Sequence, residues 1–216
     1  MSVKGKINKL KRVDIIKFIH YNFFSKHVKR DKDCYLFPYR GSVIDFRDNS
    51  TLELHSNYYL TEFKLKGSRQ EAILHLRENA KMVVEGDVRQ IYGSTIEVHK
   101  DAKLSIGSCV INVGAVIVAG KEIRIGQEVL ISRNVFVYDA DHHKILDDDG
   151  NIKNDAKETI IGNHVWIGLR ATVLRGTEIG DGAMIAAGSV VGGKIKSHTM
   201  AIGFPARSYS NIKWED

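Results

Sequence analysis

The sequence predicts an all-β solenoid, and three observations carry that reading. Aliphatic residues recur every six positions through much of the second half: Ile161, Ile167, Val173, Ile179, Ile185 and Val191 keep strict phase, and Ile125, Ile131 and Val137 form another run. Glycine often follows the aliphatic, as at Gly107, Gly126, Gly162, Gly168, Gly180 and Gly192, and fourteen of the nineteen glycines lie beyond residue 100. Four positions after the aliphatic stands a small or β-branched residue such as Val129, Val165, Ala171, Thr177, Ala183 or Ser189. A helix repeats near 3.6 residues and an exposed strand near 2, so a period of six fits neither. It fits a short strand and a tight turn, in which glycine takes a backbone angle other residues resist and the aliphatic points to a shared axis. Three such units closing a triangle make a coil of roughly 18 residues, the kind of fixed-period unit that stacks on its neighbours. Ile161 then lies over Ile179, and Ile167 over Ile185, at the roughly 4.8 Å spacing of adjacent strands.

Residues 1–45 read as a basic helical arm. Leu10, Val13, Ile16, Ile19 and Phe23 recur at three- and four-residue steps with Lys9, Lys11, Arg12 and Lys17 between them, the pattern of an amphipathic helix. Two readings of it stand: the apolar stripe packs on the body and the lysines are solvated, or the arm attaches to an anionic membrane or acidic polymer, where each lysine contributes about 1 kcal/mol. The whole chain of 216 residues carries a net +6, but residues 1–32 hold ten Lys or Arg against Asp14 and Asp31, a net +8, so the rest totals −2. A body near neutral argues against nucleic acid as partner. The stretch from Val13 to Phe24 is interrupted by Asp14, Lys17 and His20, which makes a poor secretion signal, and no segment approaches the roughly 18 uninterrupted apolar residues of a membrane span. Cys34 and Cys109 sit in no disulfide framework and no CxxC spacing, so a reducing cytoplasm is the expected compartment, with peripheral membrane contact through the arm as the open variant.

Residues 46–103 carry short, partly alternating runs, Leu52-Glu53-Leu54, Ile73-Leu74-His75-Leu76, Val83-Val84 and Ile96-Glu97-Val98, which predict less regular early coils of the same solenoid. Residues 104–200 form the regular repeat, and 201–216 a tail. Composition agrees with a folded soluble body, at 43% hydrophobic and 27% charged.

The repeat breaks once. Val137 and Ile161 are four periods apart where one is expected, so eighteen residues are inserted without loss of phase. The insert is polar, contains the Asp147-Asp148-Asp149-Gly150 turn, and predicts a loop over 139–158 that leaves the prism. His142 stands at its root just after the two carboxylates Asp139 and Asp141, with His143 beside it. A neutral imidazole with a pKa near 6.5 is suited to take a hydroxyl proton as the oxygen attacks a carbonyl. The two aspartates either orient that imidazole or are solvated loop residues. Asn112 falls in the column of Ile106 and Val118, where an asparagine needs partners: it is either a ladder or turn residue, or a polar group facing a ligand. Trp166 occupies the column that later holds Thr172 and Glu178, as an ordinary face residue or as a ligand wall. His142, His143 and His164 do not make a closed tetrahedral set, so no metal is expected.

The segments Ile161-Gly162-Asn163-His164-Val165-Trp166-Ile167-Gly168 and Ile179-Gly180-Asp181-Gly182-Ala183-Met184-Ile185-Ala186-Ala187-Gly188 resemble the hexapeptide-repeat acetyltransferase superfamily, in its galactoside, maltose and polysaccharide O-acetyltransferase branch. The resemblance implies a left-handed parallel β-helix with an N-terminal helix and a protruding loop. It also implies transfer from acetyl-CoA to a carbohydrate hydroxyl, that of a surface polysaccharide or its precursor, with His142 as base. Asn112, Asp139, Asp141 and His143 then line the acceptor side, and Trp166, Gly168, Ala187, Lys194 and Arg207 the donor side, with Lys194 either replacing the family's usual basic contact or lying on the surface. The closing Asn211-Ile212-Lys213-Trp214 resembles the polysaccharide enzymes more than the small galactoside ones. A homotrimer follows from the same resemblance, since the family's groove lies between prisms. Alternatives are N-acetylation of an amino-sugar nucleotide and a metal-dependent carbonic-anhydrase-like hexapeptide protein.

Overall fold

The computed structural model describes residues 12–215. The chain winds as a three-faced prism of parallel strands. Face 1 runs from Val28–Arg30 through Lys103–Ile106 and Thr159–Ile161 to Lys194–Ile195; face 2 from Leu36–Pro38 through Cys109–Ile111 and Trp166–Ile167 to Thr199–Gly203; face 3 from Ser42–Phe46 through Val116–Ala119 and Phe136–Tyr138 to Val190–Val191. Each coil visits the faces in that order, and every pairing is parallel except that Ala206–Asn211 folds back antiparallel on Thr199–Gly203.

Inward columns explain the six-residue period. On face 1, Leu54, Val84, Ile106, Ile125, Ile161, Ile179 and Ile195 stand in register, each no more than 5% exposed. Face 2 stacks Ile111, Ile131, Ile167, Ile185 and Ala201, and face 3 stacks Ile96, Ile117, Val137, Val173 and Val191. A fully buried Leu, Ile or Val contributes roughly 1.5–3 kcal/mol, so the columns carry the fold. The expected pairs Ile161 with Ile179 and Ile167 with Ile185 are in place.

Three expectations need correction. Regular coils begin at Val28, inside the segment read as an arm, and continue through 46–103, which is as fully laddered as the rest. Their periods are longer: Leu52 pairs with Met82, whereas Ile161 pairs with Ile179. The corners hold the extra residues, which hides the repeat. Asn112 is not in an inward column, because Ile111 and Ile117 hold those places and Asn112 is a half-buried corner residue donating to the Ile131 carbonyl at 3.3 Å. Glycine after the face 1 aliphatic is required by crowding rather than by backbone angle: a Cβ on Gly126 would stand 2.6 Å from Asn163 Oδ1 and 2.7 Å from the Gly162 carbonyl carbon. Side chains of the next coil climb this corner as a staircase, with Gln127 Oε1 accepting from Ser108 N, Asn163 Oδ1 from Gln127 N, and Asp181 Oδ1 from Asn163 N, at 2.7–2.8 Å.

The N-terminal helix is short, Ile15–Ile19 followed by a π-helical turn His20–Phe24, and is capped by Asp14, which accepts from Lys17 N. Asn22 is buried and fastens the turn to the edge of face 2, accepting from Leu36 N and donating to Leu36 O at 2.9 and 2.8 Å. Phe18 packs on Tyr35 and Phe37. The stripe packs on the body only in part: Val13 is buried and bridged to Tyr39, Phe23 meets Tyr35 and the Arg30 guanidinium while staying exposed, Ile16 and Ile19 are exposed, and Leu10 lies outside the described residues. No described helix is long and apolar enough to cross a membrane.

Candidate active site

The inserted loop joins Phe136–Tyr138 on face 3 to Thr159–Ile161 on face 1, where the insertion was expected. Its tip is a tight hairpin in which Asp147 accepts from the backbone N–H of Asp149 and Asn151, with Leu146 bridged to Ile152. Its base is fastened by Asn154, buried within the loop. Asn154 accepts from Ile145 N at 2.7 Å and donates to His143 O at 2.6 Å and to Asp141 at 3.1 Å. Asp141 also receives Arg175 Nε at 2.9 Å, and the Asn154 hydrogen bond, then Arg175, hold its carboxyl below the usual range against a partial burial penalty.

His142 turns the corner between faces 3 and 1 with a left-handed backbone, φ +60°, a conformation that Asn, Asp and His adopt more readily than most residues. The residue is exposed. Its ring lies 4.4 Å from that of His99, tilted by 36°, and edge-on to Tyr138 at 6.0 Å. His99 occupies the same corner two coils earlier, and the intervening coil has Gly120 there. A Cβ on Gly120 would approach Ala140 Cβ to 2.7 Å and His142 Cε1 to 3.5 Å, so the glycine makes room for the loop to settle back. His99 is missing from the sequence reading, because a histidine after a strand carries no signal until the coils are stacked.

Behind His99 lies a charged ladder on face 3. Glu97 Oε1 lies 3.3 Å from His99 Nε2 and receives Arg77 Nε at 2.7 Å, and His75 bridges Glu97 to Asp45. Burial first, and then the Arg77 cation, push the His99 imidazole below its ordinary value, with Glu97 opposing. Near neutral pH His99 is therefore an uncharged neighbour of His142.

The other expected residues distribute unevenly. Asp139 is fully buried and accepts from Gly120 N at 2.5 Å and Lys121 N at 2.9 Å. It clamps the corner beneath His142 and does not face an acceptor, which corrects its expected role. His143 is exposed on the loop and takes part through its carbonyl. Gly168 is buried under the next coil, where a Cβ would lie 2.6 Å from Ile185 O and 2.8 Å from Ala187 N, so packing by itself demands a glycine there. Lys194 lies on face 1, exposed and paired with Glu178 at 2.8 Å, away from the other donor-side residues. Ala187 is exposed at the corner between faces 2 and 3, and Arg207 is exposed on the closing hairpin opposite Ile202. Trp166 is half-buried on face 2 between Leu130 and Met184, with Thr172 and Glu178 on other faces. Its Nε1 donates to Ser132 Oγ at 3.1 Å, and Trp214, stacked on His164 at 4.0 Å, lies 6.0 Å from it. Asn112 shares the corner of Ala187, several coils earlier.

The cavity at His142 measures about 190 Å³ within one chain. Ligand pockets usually run to about 300–1,000 Å³. Among the described residues no group of three or more His, Cys, Asp or Glu is arranged to hold a metal ion.

The bacterial transferase hexapeptide pattern (six repeats) matches residues 158–193, the segment that forms the tight coils after the loop. Over this segment the chain is similar to the bacterial hexapeptide-repeat transferases. It is 36% identical over 96 residues to a putative lipopolysaccharide biosynthesis O-acetyl transferase, WbbJ, of Escherichia coli strain K12, covering 40% of this chain and 49% of that one. To the galactoside O-acetyltransferase of the same strain it is 33% identical over 135 residues, 62% of either chain. The chain thus spans about half to three-fifths of the length of these relatives. Among solved structures, the polysialic-acid-specific acetyltransferase NeuO superposes with a TM-score of 0.52 at 22% identity, over 89% of this chain and 84% of that one. The shared fold is the left-handed β-helix.

Proposed function

We propose that this protein transfers an acetyl group from acetyl-CoA to a hydroxyl of a carbohydrate, a surface polysaccharide or its precursor, with His142 as general base. The observation that carries the reading is the seat of His142. It is an exposed imidazole on a left-handed corner at the root of the inserted loop, backed by an uncharged His99, in a prism whose coils match the transferase pattern. The named activities of the O-acetyltransferase relatives support the reaction class.

In the reaction, neutral His142 accepts the acceptor's hydroxyl proton as the oxygen bonds to the thioester carbonyl carbon. It then returns the proton to the departing thiolate as the tetrahedral intermediate collapses. Backbone N–H groups hold the oxyanion. Trp166, Ala187 and Arg207 form the donor side, with Arg207 meeting phosphates. Asn112 and His143 serve the acceptor side. The small cavity in a single chain fits a site completed between protomers of a homotrimer, and the basic arm brings the enzyme to an acidic acceptor or an anionic surface.

The test is release of free thiol from acetyl-CoA with neutral sugars, sialic acid polymers and amino-sugar nucleotides as acceptors. His142→Asn keeps a side chain that tolerates positive φ, so it should retain the melting temperature while lowering kcat by about 10² to 10⁴. Unchanged turnover in that variant would exclude His142 as the base. Turnover confined to a nucleotide-linked amine replaces the O-transfer reading, and stoichiometric zinc in active protein replaces the mechanism.

A further inference from the structure

We propose that the N-terminal end of the prism is a docking surface for an anionic lipid membrane. Two separate segments there show one pattern. On the cap, Ile16 and Phe24 are 82% and 76% exposed, Ile15, Ile19 and Phe23 are about half exposed, and no side chain of Ile15–Ile19 is buried. On the loop that follows Tyr58–Glu62, the run Phe63-Lys64-Leu65-Lys66 alternates apolar and basic residues, with Phe63 55% and Leu65 64% exposed. Thr61 and Phe63 hold left-handed backbone angles that turn this run outward.

A cavity of about 590 Å³ joins the two segments, lined among others by Arg12, Arg40, Lys64 and Lys66 around Tyr39 and Thr61. Arg12 is tied to it by its carbonyl, which accepts from Arg40 N at 3.0 Å.

The terminal coil of a solenoid needs a polar outer face to stay soluble, and this one is apolar where it is most exposed. Its surroundings are cationic: the described residues 12–32 hold Arg12, Lys17, Lys26, Lys29, Arg30 and Lys32 against Asp14 and Asp31, a net +4. A lipid interface rewards both features at once, taking the aliphatic and aromatic side chains among its acyl chains and the lysines and arginines at its headgroups. A soluble polyanion uses only the charges. The inference is independent of the transferase reading, because it rests on the end of the prism remote from the closing hairpin and uses none of the residues assigned to catalysis.

The experiment is flotation of the full-length protein with vesicles of phosphatidylcholine, alone or mixed with phosphatidylglycerol. The protein should float with the mixed vesicles and not with phosphatidylcholine alone, and added salt should weaken the association. The pairs Ile16→Ser with Phe24→Ser, and Phe63→Ser with Leu65→Ser, should each lower the partition coefficient about tenfold or more while the melting temperature is kept. A wild type that stays in solution with the mixed vesicles overturns the proposal. So does equal flotation of both paired variants, which with competition by dextran sulfate assigns the surface to an acidic polymer. A change in the sedimenting mass of the variants without loss of flotation assigns the apolar patch to contacts between copies, and also overturns it.

Discussion

His142 and His99 meet as tilted rings 4.4 Å apart across two coils, and the charge of one decides what the other experiences. Burial and the Arg77 cation lower the folded-state pKa of His99, so the imidazole accepts a proton less readily in the native chain than in the unfolded one, where it titrates near 6.5. The unfolded state then binds more protons between these two values, and stability rises with pH in that window. The contribution is complete above about pH 6.5 and is lost as the pH falls through the lower folded value. His99→Gln cannot titrate. Melting curves from pH 7.5 down to 5 (roughly the imidazole range) should show the wild type losing stability faster than this variant. The same substitution removes the ring against which His142 is set, so kcat should fall about tenfold with the KM for acetyl-CoA unchanged. Parallel melting profiles together with an unaltered kcat would leave His99 as a bystander.

At the scale of elements, the loop 139–158 rests on two clamps of different kinds. Asp139 is fully buried and receives two backbone N–H groups from the preceding coil, Gly120 and Lys121. Charge-assisted bonds of that sort contribute roughly 1.5–3 kcal/mol each, so Asp139→Ala should destabilise the fold by about 2–4 kcal/mol, read from denaturant midpoints. Asn154 ties the loop only to itself, through Ile145, His143 and Asp141. Asn154→Ala should therefore accelerate hydrogen exchange and proteolysis within the loop while global stability shifts by less than about 1 kcal/mol. Equal global losses from both substitutions would mean that loop and coil unfold together.

The loop, its boundaries and the position of His142 at its root were legible in the sequence because an insertion inside a strict period keeps its phase on both sides, and Ile125 does pair with Ile161. The early coils were legible only as irregular ones and their start at Val28 was not, since their corners vary in length while their inward residues remain aliphatic. The step from Ile106 to Ile111 is one residue shorter than the period of six, which sufficed to put Asn112 in the wrong column. The clamp of Asp139 and the stacking of His99 depend on which coil lies beneath which, a contact between sequence-distant corners that no local pattern encodes. The exposed stripe of the cap was visible as amphipathic, but its direction depends on Asn22 fastening the turn to Leu36, which periodicity does not report.

For the whole molecule, the decisive fact is that the proposed base and the residues proposed for the donor lie on different corners, with Asn112 on the donor corner. His142 turns from face 3 to face 1, whereas Ala187 and the hairpin bearing Arg207 gather where face 2 meets face 3, and Trp166 lies on face 2 itself. A prism cannot bend one corner onto another, since its columns are packed along the full length. On the proposed reading, a groove holding both would be completed by a second copy, which offers its own corner, and a closed cyclic assembly would repeat that meeting at each interface. This makes complementation the sharpest test. His142→Asn lacks the base, and Ala187→Trp, at an exposed position, fills the donor groove; each should be nearly inactive alone. When the two are unfolded together in equal amounts and refolded, about one quarter of all sites pair an intact His142 with an open groove from its neighbour, and activity should return to about that fraction of wild type. Activity that stays at the level of the separate variants, with mixed assemblies verified by mass, would mean that each chain carries its whole site and that the separation of the two corners is bridged within one prism.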